Sequence, residues 1–305
     1  MKIAIMGTGG LGGYFGGRLA HAGRDVTFIA RSQRATMEAN GLRVQSFEED
    51  VVVNPVKVAS EPADVGPVDV ILFCVKAYDA ERAAEAMKPM VGAQTAVIPV
   101  LNGIDHIAIM QRVLGPDVVL GGLTNMTAHV IAPGHVERVG THGAFQFGEL
   151  AGGMSVRCEA IYKELDVPGV PITAIPNITE RIWWKLGLIS SISVFPTIHG
   201  SKQIMWSIPE TRNLIYQAAQ EALAVAEANG VSLGAGYPDE IMGLADDLPM
   251  DFKPSMGVAL EKGQPLEIEG INGTMVRYGQ EAGVPTPVNA FMYACLLPYK
   301  DGPPE

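Results

Sequence analysis

Lys2 to Met6 is a short apolar run ending in glycines, Leu11, Phe15 and Leu19 follow at helical spacing, and after Gly23 a β-like run covers Val26 to Ile29. The pattern predicts strand, helix, strand within about thirty residues. Val68 to Val75 is a continuous apolar run suited to a strand buried on both faces, and Ala77 to Met87 after it is alanine-rich and helical. Thr95 to Leu101 repeats the strand, with Ile104 to Val113 as its helix. Such alternation predicts a doubly wound parallel sheet, because right-handed crossovers place the helices on its faces. From Val118 to Phe147 short β-like pieces punctuated by Pro133, Gly134, Gly140 and Gly143 predict antiparallel strands extending the sheet's edge. Beyond Ile175-Pro176-Asn177 the chain turns helical, over Ile178 to Ser193, Thr211 to Asn229, Asp239 to Leu244 and Gly270 to Ala282. The tail, Asp301 to Glu305, is expected to fray.

The length of 305 residues suits two domains at ~150 each, expected at 1–176 and 177–305. Hydrophobic residues make up 48% and charged residues 18%, the balance of a chain that folds on cores. A net charge of -11 repels phosphate backbones and anionic membranes, so neither nucleic acid nor a membrane surface is expected as a partner. The apolar run before Gly7 is too short for a signal peptide. Leu186 to Ile198 is broken by serines and Pro196 and falls short of the ~20 residues of a spanning helix, so a cytoplasmic protein is expected. Cys74, Cys158 and Cys295 are odd in number and widely spaced, as free thiols would be.

Gly7-Thr8-Gly9-Gly10-Leu11-Gly12 fits G-x-G-x-x-G between the first predicted strand and helix, where a dinucleotide needs it. Gly7 would make the tight turn, Gly9 would admit the pyrophosphate and Gly12 would let the helix pack on the strand. A glycine-rich turn without a ligand is the alternative. The first domain is therefore expected to be Rossmann-type. The second strand ends Phe28-Ile29-Ala30-Arg31 with no acid for a ribose 2'-hydroxyl, whereas Arg31, followed by Ser32 and Arg34, suits a 2'-phosphate. NADP(H) is thus favoured over NAD(H), unless Arg31 is simply a solvated surface arginine. Lys76 and Asn102-Gly103 lie past two further strands, at the carboxyl edge where open α/β sheets bind ligands. For Lys76 a solvated strand end is the competing reading.

In the helical half, Ile182-Trp183-Trp184-Lys185-Leu186 puts a lysine into a stretch without charge from there to His199. Such a cation either snorkels to water or is held for a purpose. Glu267 lies near the start of a predicted helix, twelve residues after Ser255. A buried lysine with a partner carboxylate is a workable proton donor for carbonyl reduction, because burial lowers its pKa and the carboxylate raises it.

As a set these residues resemble the ketopantoate reductase (2-dehydropantoate 2-reductase) family along essentially the whole chain. The resemblance rests on Gly7-x-Gly9-x-x-Gly12, Val75-Lys76, Asn102-Gly103, Trp184-Lys185-Leu186, Pro254-Ser255-Met256 and Glu267-Ile268-x-x-Ile271-Asn272-Gly273. It implies an NADPH-binding N-terminal domain, a helical C-terminal domain, and reduction of ketopantoate to pantoate in pantothenate biosynthesis. It makes Lys185 the general acid, Lys76 and Asn102 neighbours of cofactor and substrate, Ser255 a substrate-binding serine, and Glu267 a carboxylate contacting the cofactor or supporting the lysine. The chain departs from the pattern where the family usually carries asparagines. Ile189 and Ser193 stand one and two helical turns after Lys185, and Gln203 stands in the segment after that helix. Ser193 and Gln203 remain candidate substrate contacts, and Ser190 is a candidate to compensate. The loss of amides bears on which 2-oxo acid is the substrate.

Two other readings compete. One is a related reductase or dehydrogenase for another branched or aromatic 2-oxo or 2-hydroxy acid, running oxidatively with NAD; the other is a non-catalytic dinucleotide-binding regulatory protein. His129, His135 and His142 lack the carboxylate or cysteine that would complete a metal set, so no metal is expected. Asp246-Asp247 with Asp251 reads as a solvated acidic loop. The apolar helices of the second half are compatible with a homodimer.

Overall fold

Lys2–Met6 forms strand β1, buried from Ile3 to Met6, and sits in the middle of a parallel sheet. The chain continues through α1 (Gly10–His21), β2 (Asp25–Ile29), α2 (Arg34–Asn40), β3 (Leu42–Gln45), β4 (Val51–Val53), β5 (Val58–Ala59), β6 (Val68–Phe73), α3 (Ala80–Ala86) and β7 (Val91–Pro99). After α4 (Asp105–Leu114) come β8 (Gly121–Thr124), β9 (Thr127–Ala132), β10 (His135–Val139), β11 (Phe145–Gly148), α5 (Val156–Leu165) and β12 (Ile172–Ala174). The structure, a computed structural model, describes residues 1–141 and 143–304. These fall into two compact units, Met1–Leu101 with His106–Thr179, and Asn102–Asp105 with Glu180 onward.

In the first unit the central sheet runs β5-β2-β1-β6-β7, all parallel, so the strand order reverses between β1 and β6. Met6 pairs with both Ile29 and Phe73, which levels the carboxyl ends of β1, β2 and β6. The antiparallel extension is made by β8 and β11, with β12 parallel beyond it. A single bridge from Val119 to Val97 joins it to the edge of β7.

The β9–β10 hairpin departs from the expected edge position. It joins β3 and β4 in a separate four-stranded sheet, β4-β3-β10-β9, that lies over α1. Glycine makes this possible. A Cβ at Gly12 or Gly16 would fall 2.1 Å from the Gly7 carbonyl or 2.5 Å from the Phe28 ring, toward the central sheet. A Cβ at Gly10, Gly13 or Gly17 would fall 2.0, 2.7 or 2.4 Å from Ala128, Val136 or Val44, toward the second sheet. Helix α1 is therefore packed on both sides, with Tyr14, Phe15 and Leu19 fully buried. The alternating pairs Leu42/Val44 and Val51/Val53 bury one face of the covering sheet.

The second unit is helical: α6 (Ile178–Ser191), α7 (Val194–Thr197), α8 (Lys202–Ser207), α9 (Pro209–Ala228), α10 (Tyr237–Asp247), α11 (Ser255–Glu261), α12 (Thr274–Ala282) and α13 (Pro287–Leu296). Its centre is the small-residue face of α9, where Ala218, Ala219 and Ala222 are buried. Gly187 leaves room for Tyr237, whose hydroxyl donates to the Trp184 carbonyl at 2.9 Å. Glu221 on α9 accepts the backbone N–H groups of Val288 and Asn289 at 2.7 and 3.0 Å, so a carboxylate closes the start of α13. Asp246 and Asp247, expected in a solvated loop, instead close α10, and Asp246 accepts from Trp206 and Arg212. Among the described residues no helix is long and apolar enough to cross a membrane.

Gly10→Ala should separate β9 from α1, since its Cβ meets backbone rather than a movable side chain. The expected cost is about 1–3 kcal/mol of stability, read as a lower denaturant midpoint. Gly9→Ala, with nothing within 4 Å of the added carbon, should unfold like the parent.

Candidate active site

In the first unit the glycine turn, Arg31 and Lys76 follow the levelled ends of β1, β2 and β6, at the point where strand order reverses. Gly7 has a φ of +99°, and a Cβ there would fall 2.9 Å from the Cys74 carbonyl oxygen and the Val75 side chain. Only glycine fits. Gly9, in contrast, has open space where a side chain would stand. The Thr8 hydroxyl donates to the Ile29 carbonyl at 3.1 Å, so it braces the turn on β2. Gln33 does the same from outside: its amide N–H donates to the Thr8 carbonyl at 2.8 Å, and its oxygen accepts from the Gly134 N–H at 3.0 Å. No sequence signal marks Gln33. Arg31 and Lys76 are exposed, whereas Arg34 is engaged with Glu38 at 2.7 Å and Ser60 at 2.8 Å.

In the second unit three of the sequence candidates meet. The Lys185 ammonium donates to Asn102 Oδ1 at 2.8 Å, and Asn102 Nδ2 donates to Glu267 Oε2 at 3.4 Å. All three side chains are half-buried. Burial brings the Lys185 pKa down to about 8, with the negative charge of Glu267 pulling the other way. The segment carrying Asn102 is fixed locally. Gly103, at φ +82°, lies so close to Gly270 that a Cβ would sit 2.5 Å from its carbonyl oxygen. Asp105 accepts from Thr274 Oγ1 at 2.6 Å and from Arg277 at 2.5 Å. Past Glu267 the chain makes a π-turn, with the Gly273 N–H donating to the Ile268 carbonyl at 3.0 Å. Asn272, fully buried, ties that turn to the Ser190 carbonyl and to Asn289.

Comparison with known proteins decides the family. The model described as ketopantoate reductase PanE/ApbA matches residues 3–152, and that of its C-terminal part matches residues 177–300. The chain belongs to the ketopantoate reductase family. A 2-dehydropantoate 2-reductase of Mesorhizobium japonicum is 30% identical over 312 residues, covering 94% of both proteins. The crystal structure of a PanE/ApbA family ketopantoate reductase from Ralstonia eutropha matches with a TM-score of 0.89 at 29% identity, over 98% of both chains. A D-mandelate dehydrogenase solved with NADH and anilino(oxo)acetate shares the fold at a TM-score of 0.87 and 22% identity, again over 98% of both chains.

Ser193 is 1% exposed and its hydroxyl donates to the Ile189 carbonyl at 3.0 Å, so its proton is not turned outward. Ser190 cannot compensate, because its own hydroxyl is buried and donates to the Gly187 carbonyl at 3.0 Å. Both serines bond back to the preceding turn, Ser190 within α6 and Ser193 just after it. Gln203 is exposed on α8, its backbone N–H donating to the Met250 carbonyl. Ser255 is exposed at the first residue of α11. Among the histidines, His129 is exposed, His135 is half-buried, and His142 lies outside the described residues.

The lowered lysine pKa is directly measurable. In NMR of the dimethyl-lysine protein, one resonance, absent in Lys185→Arg, should titrate near pH 8, below the ~10.4 of a lysine in a model peptide. Glu267→Gln should move that midpoint further down, since it removes the charge that favours the ammonium. An upward move would contradict the assigned electrostatics.

Proposed function

We propose that this protein reduces a 2-oxo acid to the 2-hydroxy acid with NADPH, Lys185 acting as the general acid, and that ketopantoate to pantoate is the first reaction to assay. One observation carries the reading: Lys185, half-buried and with its pKa brought down to about 8, is held 2.8 Å from Asn102 in a bonded group that includes Glu267. A donor must be protonated at working pH yet release its proton readily, and a pKa near 8 meets both needs.

The glycine turn fits a nicotinamide dinucleotide. Gly7 to Gly12, with the start of α1, would hold the pyrophosphate against the open side of Gly9, and Arg31 would meet the 2'-phosphate. Lys76, exposed at the same sheet edge, would add a second cation for the bound anions, and Asn102 and Ser255 would contact the substrate. When bound, the reduced nicotinamide supplies the hydride. Negative charge then develops on the substrate's carbonyl oxygen, and Lys185 neutralises it by donating a proton, which stabilises the transition state more than the ground state. Asn102 accepts one ammonium N–H and so fixes the direction of the others. The relatives' names and the NADH bound by the D-mandelate dehydrogenase are in keeping with this chemistry.

Lys185→Ala should lower kcat by ~10²- to 10⁴-fold while NADPH affinity stays near that of the parent, as read by stopped-flow turnover and fluorescence titration. Because the ammonium is the active form, kcat should fall as pH rises through about 8. A variant with parental kcat would refute the assignment, and cofactor binding without turnover of any 2-oxo acid by the parent would favour the regulatory reading.

Arg31→Ala should raise the KM for NADPH and leave that for NADH alone, a loss of about 1–3 kcal/mol for a charge-assisted contact. Equal losses with both cofactors would count against Arg31 as the 2'-phosphate ligand.

A further inference from the structure

One helical turn beyond Lys185, α6 offers hydrocarbon. Ile189, one helical turn beyond Lys185 on α6, is half-buried and packs against a cluster formed by Met256, Leu266, Ile268, Ile271 and Leu296. Three serines follow on the same helix and its exit, yet none presents a hydroxyl proton. Ser190 and Ser191 both donate to the Gly187 carbonyl, at 3.0 and 2.7 Å, and Ser193 donates to the Ile189 carbonyl at 3.0 Å. All three are at most 1% exposed. Downstream of Lys185, the half-buried side chains of α6 are thus Leu188 and Ile189, both hydrocarbon, with Ile189 on the face of Lys185.

We infer that Ile189 sets the substrate class, and that the 2-oxo acid taken here carries a branched, purely hydrocarbon side chain rather than one bearing a hydroxyl. The inference rests on the reduction proposed above and narrows it. A ketone held for protonation by Lys185 brings the group next to its carbonyl along α6 onto Ile189, because residues i and i+4 share a helix face. A substrate hydroxyl there would lose water and find no side-chain partner on this helix. An apolar pocket rejects an added hydroxyl by up to about a hundredfold, whereas a pocket built to bond that hydroxyl rejects the analogue lacking it far more strongly. The sign of the preference therefore reports how the pocket is made.

The matched pair is ketopantoate and 3,3-dimethyl-2-oxobutanoate, which differ only by the hydroxyl. Affinity for each is measured by calorimetry with NADP⁺ present, so that no reduction occurs, and kcat/KM is measured separately with NADPH. The hydrocarbon acid should bind more tightly and turn over faster, by about tenfold to a hundredfold. Ile189→Asn should shrink or reverse the ratio, and Ile189→Leu should keep it. Tighter binding of ketopantoate by the parent, no binding of either acid, or a ratio unmoved in Ile189→Asn overturns the inference. Preferential binding of the hydrocarbon acid without turnover of either compound sustains it and overturns the reduction instead.

Discussion

The site depends on a cation kept in surroundings that disfavour it. Desolvation costs the Lys185 ammonium part of its proton affinity, and the charge of Glu267 returns only some of it, which leaves the pKa at about 8. Asn102 makes the compromise specific. Its carbonyl oxygen faces the ammonium and its amide N–H faces the carboxylate, the only orientation of an amide that satisfies both neighbours. A second carboxylate at that position would pull the lysine pKa upward and hold the proton more firmly, while an aliphatic residue would remove the acceptor that stands 2.8 Å from the ammonium.

Everything around Asn102 serves to hold it there. Gly103 lies against Gly270, Asp105 bonds Thr274 and Arg277, and the π-turn of residues 268–273 is anchored through Asn272 to the end of α6. The lysine helix, the Glu267 segment and residues Asn102–Asp105 are thus cross-bonded within one unit. This explains why Asn102–Asp105 groups with residues that come more than seventy positions later in the chain.

Four strands of the central sheet, β1, β2, β6 and β7, were readable from largely apolar runs, whereas the two-residue β5 left no signal, and Lys185 stood out as an isolated charge. What the pattern could not reveal is bonding at long range. Asn102 looked like Lys76, a polar residue past a strand, whereas its partners lie 83 and 165 residues away. Gln33, Asp105 and Glu221 are ordinary polar residues in sequence, and only the fold gives them their acceptors and donors. The second sheet escaped notice for another reason. Strands β3 and β4 have only four and three residues, and the surface they cover is written in glycines, which carry no hydrophobic signal.

Those glycines tie the fold to the candidate dinucleotide site. A glycine inside a helix costs roughly 0.5–1 kcal/mol relative to alanine, and α1 spends five positions that way, Gly10, Gly12, Gly13, Gly16 and Gly17. Close packing of two sheets on opposite sides of the helix offsets that cost. The spacing divides the labour: Gly12 and Gly16 seat one sheet, Gly13 and Gly17 the other, each pair four residues apart on its own face. Gly9, immediately before the helix, is left with nothing against it, so the same run that buries α1 on two sides keeps its N-terminus open. A chain with alanines here would have a more stable isolated helix but no room for the second sheet, and the turn braced by Thr8 and Gln33 would lose its support from β9 and β10.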